Sequence, residues 1–159
     1  MEGGRWHGRQ TADQATNDRR AGAEGNAAVG SVIMNGDDMV AKGRNIVTTT
    51  IDPTAHAETV VIREAGKAIG HGDLTGFTLY TTFEPSPMCC GAIMTAGLGT
   101  VVMGARSQPS DRRWGEYTVE RLIELAGRSG DIDVVNGVLV SECEGVRQRW
   151  EAARPPRGS

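Results

Sequence analysis

The sequence predicts an α/β fold, a mixed β-sheet with helices packed on its faces. Two observations support this prediction. After an initial β-hairpin, short apolar runs alternate with segments whose apolar residues recur at helical spacing. Two of the predicted helices also begin with a capping residue followed by proline, each after a loop or a strand. The length of 159 residues suits one domain, and we expect residues 1–159 to form it without a linker or repeat.

The fold is predicted to open with a β-hairpin. Residues 1–24 are polar and form a poorly defined N-terminal segment, in which we expect at most a weak helix. The apolar run at 27–34 predicts the first strand. The sequence Asn-Gly-Asp-Asp at 35–38 is a strong turn signal, and residues 39–43 return as the second strand.

The first long helix is predicted after a loop at residues 48–51. Asp52 is a preferred N-cap residue, and Pro53 suits the first helical position. The apolar residues that follow at helical spacing are Val61, Ile62, Ala65, Ala68 and Ile69. The remaining predicted elements are a strand at 77–83, a helix from Ser86 to Ala96, a strand at 100–104, a helix at 116–127, at least one strand within 132–135 and 138–140, a helix at 141–153 and a loose tail at 154–159.

The composition narrows the class of protein. No apolar run approaches the roughly 18 residues that cross a bilayer, and the N-terminus lacks the apolar segment of a secretory signal. We therefore expect a cytoplasmic protein with no membrane partner. The net charge of -3 argues mildly against a nucleic-acid surface, although a basic patch can hide within a negative total. Three cysteines make a poor disulfide framework.

Residues that suit metal chemistry lie at the two helix starts. His56 and Glu58 would diverge by about 200° inside a helix, but side chains of a first turn lean toward the N-terminus and can converge beyond it. Cys89 lies on the first turn of the second helix, where the helix dipole favours a thiolate. An imidazole and a thiolate are natural zinc ligands, and a nearby carboxylate can move protons.

Each of these residues has an ordinary explanation when it is taken alone. The histidine could be structural, the glutamate could interact with the helix dipole, and Cys89 could be part of the core. Ser86 is a good N-cap in its own right. Taken together and in this order, they approach the pattern His-x-Glu followed by Pro-Cys-x-x-Cys, which is typical of zinc nucleobase deaminases.

Residues 52–58 and 84–93 resemble bacterial guanine deaminases and tRNA adenosine deaminases, which belong to the cytidine-deaminase-like superfamily. The resemblance extends from about Ala28 to Trp150. It implies a three-layer αβα fold with a mixed five-stranded sheet, a Zn²⁺ cofactor and a homodimer. The implied reaction is hydrolytic deamination of a small amino-substituted heterocycle, with release of ammonia. The substrate would be guanine or a related purine, pyrimidine or triazine.

The resemblance also assigns roles to individual residues. His56 and Cys89 match zinc ligands, and Glu58 matches the residue that transfers protons. Asn45 matches the asparagine that hydrogen-bonds the base, and the backbone of Ala57 matches part of the wall that receives it. Trp114 follows Arg112 and Arg113 in the loop after the fourth strand. It either stacks on the substrate ring or is a half-exposed packing residue.

One position departs from the pattern. Ser86 stands where the resembled families have their first zinc-binding cysteine, and a hydroxyl is a much poorer zinc ligand than a thiolate. Cys90 is a poor substitute because it points about 100° away from Cys89 on the helix. Three explanations stay open: an engineered substitution, a natural ligand in a weakened site, or a protein that has lost its metal.

The substrate class stays open between two enzymes and one non-enzyme. The run from Glu84 to Cys89, with Pro87 within it, looks most like guanine deaminase. A tRNA adenosine deaminase is the second candidate, for which we expect a basic groove. The third is a catalytically dead pseudodeaminase that acts as a partner subunit, and its metal site would not take up zinc.

Overall fold

The computed structural model describes residues 16–154. Its five strands are β1 (Gly30–Asn35), β2 (Asp38–Arg44), β3 (Thr78–Phe83), β4 (Thr100–Ala105) and β5 (Asp133–Val135). They form one sheet in the order β2-β1-β3-β4-β5. The β1–β2 and β1–β3 pairs are antiparallel, whereas β3–β4 and β4–β5 are parallel. The predicted mixed five-stranded sheet is confirmed.

The helices are α1 at residues 16–23, α2 (Val47–Thr50), α3 (Ala57–Ile69), α4 (Pro87–Ala96), α5 (Val119–Leu125) and α6 (Val140–Ala153). A short 3-10 turn covers Pro109–Asp111. The expected weak N-terminal helix thus exists at 16–23, and the rest of that prediction, at residues 1–15, lies outside the described residues, as does the predicted tail beyond 154.

The sequence placed the start of α3 four residues too early, because the helix begins at Ala57 and not at Pro53. Asp52 makes a cap-like contact, because its Oδ1 accepts hydrogen bonds from the backbone N–H and the hydroxyl of Thr54, at 2.8 and 2.7 Å, but only a turn follows it. This local turn carries the chain to His56, which is the true N-cap residue. The histidine therefore stands at the helix end and not within its first turn.

The prediction of at least one strand within 132–135 and 138–140 is confirmed by β5, and the second segment leads into α6. Two smaller boundaries differ from the predictions. The loop expected at 48–51 contains the short helix α2. The helix predicted at 116–127 is shorter at both ends. Its start is fixed by Thr118, whose hydroxyl accepts the Arg121 N–H at 3.2 Å.

Helices cover both faces of the sheet. On one face α3, α4 and α5 bury a core whose fully buried side chains include Ile33, Val61, Leu79, Ile93 and Val101. On the other face α6 packs on β4 at Gly104, where a Cβ would lie 2.5 Å from Cys143 Sγ. A side chain at Gly43 would likewise meet the backbone nitrogen of Val61 at 2.9 Å. These close approaches fix the three predicted layers.

A buried carboxylate lies on the α6 side of the sheet. Asp18 of α1 is 1% exposed, and its Oδ1 has no hydrogen-bond partner among residues 16–154. Burial raises the pKa of Asp18 from 3.8 to about 7, and the nearby charges of Arg19 and Arg149 offset this only in part. The folded protein therefore holds a proton that the unfolded chain releases above pH 4.

This buried carboxyl should make stability depend on pH. Because the folded-state pKa of Asp18 is raised, ionisation of this group does not lower the free energy of unfolding at low pH. The loss of stability grows as pH rises from about 4 to 7 and is complete above 7. We expect Asp18→Asn to stabilise the protein at pH 8 by roughly 2–4 kcal/mol and to have little effect near pH 4. Urea unfolding at both pH values tests this, with the exposed Asp37→Asn as the control. An equal effect of Asp18→Asn at both pH values would contradict it.

Candidate active site

His56 ends the loop that precedes α3 and faces the start of α4. It is the N-cap residue of α3, yet its side chain makes no capping hydrogen bond. The ring is thus free to turn away from its own helix. Its Nδ1 lies 3.5 Å from the Sγ of Cys89, which lies on the first turn of α4.

Glu58 is the second residue of α3 and is only 3% exposed. The hydroxyl of Thr81 on β3 donates a hydrogen bond to its Oε1 at 3.0 Å. The hydroxyl of Ser31, the cross-strand neighbour of Thr81, donates to the Thr81 oxygen at 3.0 Å. This chain of buried hydroxyls holds the carboxylate in one orientation and compensates part of its desolvation. The second oxygen, Oε2, accepts from the Cys89 thiol at 3.4 Å.

Cys89 is fully buried, and its thiol behaves differently from the sequence-based expectation. Burial, and then the charge of the adjacent Glu58, raise the pKa of Cys89 well above its usual value. Its backbone N–H is already bonded to the Ser86 hydroxyl, at 3.3 Å. The expected stabilisation of a thiolate by the helix start is therefore outweighed, and without a cation nearby the sulfur keeps its proton.

The three side chains fit a metal ion. One donor atom from each of His56, Glu58 and Cys89 lies within 4.8 Å of the other two. A nitrogen, a carboxylate oxygen and a sulfur are all donors that Zn²⁺ accepts. Ser86 lines the same cavity, but its hydroxyl serves as the N-cap of α4. The structure thus brings the predicted histidine and cysteine together and adds the glutamate to the possible ligand set.

A cavity of about 490 Å³ opens above these residues. Of the predicted site residues, it is lined by Asn45, His56, Glu58, Ser86 and Trp114. The volume lies within the range of small-molecule sites. Fully buried Ala57 is not among the lining residues, so the cavity gives no support to the predicted contact between its backbone and a base.

Two lining residues could contact a flat ligand in different ways. Asn45 is 6% exposed, and its Oδ1 accepts the Val47 N–H at 3.2 Å, so its Nδ2 donor remains available to a ligand. Trp114 is 51% exposed and lines the cavity, which fits either of its two predicted roles, stacking on a ligand or packing while half exposed.

The sequence did not predict several further residues around the cavity. Tyr117 closes one side, and its hydroxyl donates to the Pro85 carbonyl at 2.7 Å. Glu84 ties the same region to α5 by accepting the Val119 N–H at 3.2 Å. The other additions are Phe83, Arg112, Arg113, Trp150 and Arg154. They come from separate parts of the chain, and only the Arg-Arg-Trp run at 112–114 offered a signal.

Residues 7–105 match the family described as the cytidine and deoxycytidylate deaminase zinc-binding region. The chain belongs to this family. It is therefore an aminohydrolase, an enzyme that hydrolyses a carbon–nitrogen bond, and its domain type is a zinc-binding one. The predicted family and enzyme class are confirmed. Zinc remains the family's cofactor, for which this chain offers a fitting cluster.

Relatives of this deaminase act on different substrates. The chain is 36% identical to a tRNA-specific adenosine deaminase of Bacillus subtilis, over 86% of this chain and 88% of that protein. It is 51% identical to a guanine deaminase of Bacillus subtilis, over 42% of this chain and 43% of that protein. A solved tRNA:A34 deaminase superposes with a TM-score of 0.75 at 27% identity, covering 87% of this chain and 98% of that one.

These comparisons leave the substrate as either a small molecule or a nucleic acid. They confirm the cytidine-deaminase-like fold, and both predicted types of relative are present. Within residues 16–154 no helix of this deaminase is long and apolar enough to cross a membrane.

Proposed function

We propose that this protein is a zinc-dependent hydrolytic deaminase of a small amino-substituted heterocycle, guanine or a related purine, pyrimidine or triazine. The observation that carries the proposal is the cluster of His56, Glu58 and Cys89, of which His56 and Glu58 line a cavity of about 490 Å³. The 51% identity to a guanine deaminase over 67 residues supports a guanine-like base. The acceptor and donor groups of such a base match the Asn45 amide that lines the cavity.

Each residue of the site has a separate role in the proposed reaction. When bound, zinc lowers the pKa of a water molecule and so supplies a nucleophile near neutral pH. Glu58 takes a proton from the attacking water, passes it to a ring nitrogen, and later delivers a proton to the departing ammonia. Asn45 orients the base, and Trp114 stacks on its ring. Thr81 keeps the Glu58 carboxylate turned toward the cavity.

Ser86 should limit this activity. A neutral hydroxyl replaces a thiolate, so the metal binds more weakly. We expect Ser86→Cys to raise both zinc affinity and the rate of ammonia release from guanine by at least about 10-fold. In that background Glu58→Gln should lower kcat by roughly 10²–10⁴-fold while zinc stays bound. Metal analysis and ammonia release from guanine, adenine, cytosine and an aminotriazine measure these effects.

Ser86→Ala is the matched control, because it removes the one hydroxyl that could act both as a metal ligand and as the N-cap acceptor. A gain in Ser86→Cys that Ser86→Ala shares would reflect folding instead of metal binding. If Ser86→Cys takes up no zinc and releases no ammonia from any of these bases, the catalytic role is wrong. The pseudodeaminase partner subunit would then be the better explanation.

A tRNA adenosine deaminase is the second candidate, and one observation favours it. Arg112, Arg113 and Arg154 line the cavity and have no carboxylate partner among residues 16–154. The guanidinium of Arg113 lies 4.9 Å from the centroid of the Trp114 ring, and that of Arg154 lies 4.4 Å from Trp150. A basic rim with aromatic rings suits phosphates and unstacked bases, so the net charge of -3 does not exclude RNA.

This candidate predicts that the basic rim binds phosphate. If RNA is the substrate, a tRNA anticodon stem–loop should bind the Ser86→Cys protein at least about 10-fold more tightly than free guanine or adenine, and its affinity should fall with salt. Arg112→Gln with Arg113→Gln should weaken RNA binding, whereas Arg128→Gln, outside the cavity lining, should not. Fluorescence anisotropy at 50 and 200 mM salt measures both effects. Tight binding of free guanine, unchanged by the rim variants, favours the small-molecule substrate.

We also propose that the protein is a cytoplasmic homodimer. The cysteines Cys89, Cys90 and Cys143 are free thiols, which suits a reducing compartment. The partly exposed Ala92 and Met94 of α4 would contribute to an apolar dimer contact next to the site. Light scattering across a concentration series is expected to give twice the chain mass. A strict monomer at high concentration would contradict the dimer.

A further inference from the structure

The sulfur of Cys89 lies at the spacing of a shared metal ligand from both His56 and Glu58. Cys89 Sγ lies 3.5 Å from His56 Nδ1 and 3.4 Å from Glu58 Oε2. Zinc bonds of about 2.0–2.3 Å to nitrogen, oxygen and sulfur, at a tetrahedral angle, place such donors about 3.5 Å apart. Both measured separations agree with that value. The carboxylate is therefore as close to the sulfur as a ligand would be.

The other carboxylate oxygen of Glu58, Oε1, accepts a hydrogen bond from the protein interior. Thr81 donates to Oε1 at 3.0 Å and is itself the acceptor of the Ser31 hydroxyl. This arrangement leaves Oε2 as the oxygen that faces the sulfur of Cys89. A ligand whose remote atom is hydrogen-bonded in this way is typical of protein metal sites, because the outer contact fixes the ligand's direction.

Ser86 is the weaker candidate for the third ligand. Its Oγ accepts the Cys89 N–H at 3.3 Å, and the hydroxyl carries no charge. A carboxylate is a charged oxygen ligand that zinc accepts in proteins, whereas a neutral hydroxyl is a much poorer one. Glu58 is already buried beside Cys89, so binding its carboxylate to the ion brings no further charge into the interior.

We propose that Glu58, and not Ser86, is the third protein ligand of the metal in this chain, so that a divalent ion is bound by His56, Glu58 and Cys89. The inference rests on the metal site of the proposed function. Zinc binding displaces the thiol proton of Cys89 to solvent. Because a carboxylate on the metal is not available to move protons, Glu58 must leave the ion before it can serve the reaction. A cysteine at position 86 releases Glu58 from this role.

The test measures zinc affinity without substrate. In the unaltered chain, Glu58→Gln should lower Zn²⁺ affinity by at least about 10-fold, since a neutral amide is a poor ligand. Ser86→Gly, which keeps an acceptable N-cap residue, should change it by less than about 3-fold. In the Ser86→Cys background, Glu58→Gln should also change it by less than about 3-fold. Competition with a chromogenic chelator gives the affinities, and the thiolate charge-transfer band of Co²⁺ reports the Cys89 bond.

The outcomes separate the ligand assignment from the proposed activity. Equal zinc affinity of the unaltered chain and Glu58→Gln would overturn the assignment, as would a larger loss in Ser86→Gly or no binding of Zn²⁺ or Co²⁺ by the unaltered chain. Circular dichroism must show each variant folded, and Glu58→Asp, which keeps the charge, should retain more affinity than Glu58→Gln. The expected zinc pattern without ammonia release from Ser86→Cys would overturn the deaminase activity alone.

Discussion

The site depends on keeping the carboxylate of Glu58 buried and still oriented. A carboxylate that is 3% exposed is destabilising unless polar partners replace its water. The partners here are the hydroxyls of Thr81 and Ser31, which meet only because β1 and β3 pair in the observed antiparallel register. A slip of one residue would turn Thr81 to the opposite face of the sheet. The orientation of Glu58 therefore depends directly on the register in which β1 and β3 pair.

The sequence located the reactive residues better than it located the elements that carry them. The order of elements, the hairpin turn and the positions of His56, Glu58 and Cys89 at two helix starts follow from local signals. The start of α3 did not, because Asp52 and Pro53 look like a cap and a first helical residue. A second bond, between residues farther apart in sequence, adds to the Asp52–Thr54 turn: the Ile46 N–H donates to the Ala55 carbonyl at 3.0 Å and holds that segment as a loop.

The basic rim shows why overall charge is a poor guide to this surface. Several of the carboxylates that make the total negative pair with arginines, as Glu24 does with Arg44 and Glu120 with Arg106. The arginines at 112, 113 and 154 have no such partner among residues 16–154, and they come together although they are far apart in sequence. A count over the whole chain cannot reveal this arrangement, because it depends on where α6 ends relative to the loop after β4.

The two helices of the site begin in opposite ways. His56 is the N-cap residue of α3 but makes no side-chain capping bond. Its ring can therefore face the cavity, while the helix start lacks the stability that a cap would add. Ser86 starts α4 with a cap bond to Cys89, which stabilises a helix start by about 1 kcal/mol. With cysteine at position 86, neither helix would be well capped, and an ion would have to hold both ends together. Serine therefore makes the position of Cys89 independent of metal, and it leaves a neighbouring carboxylate as the nearest charged group for a cation.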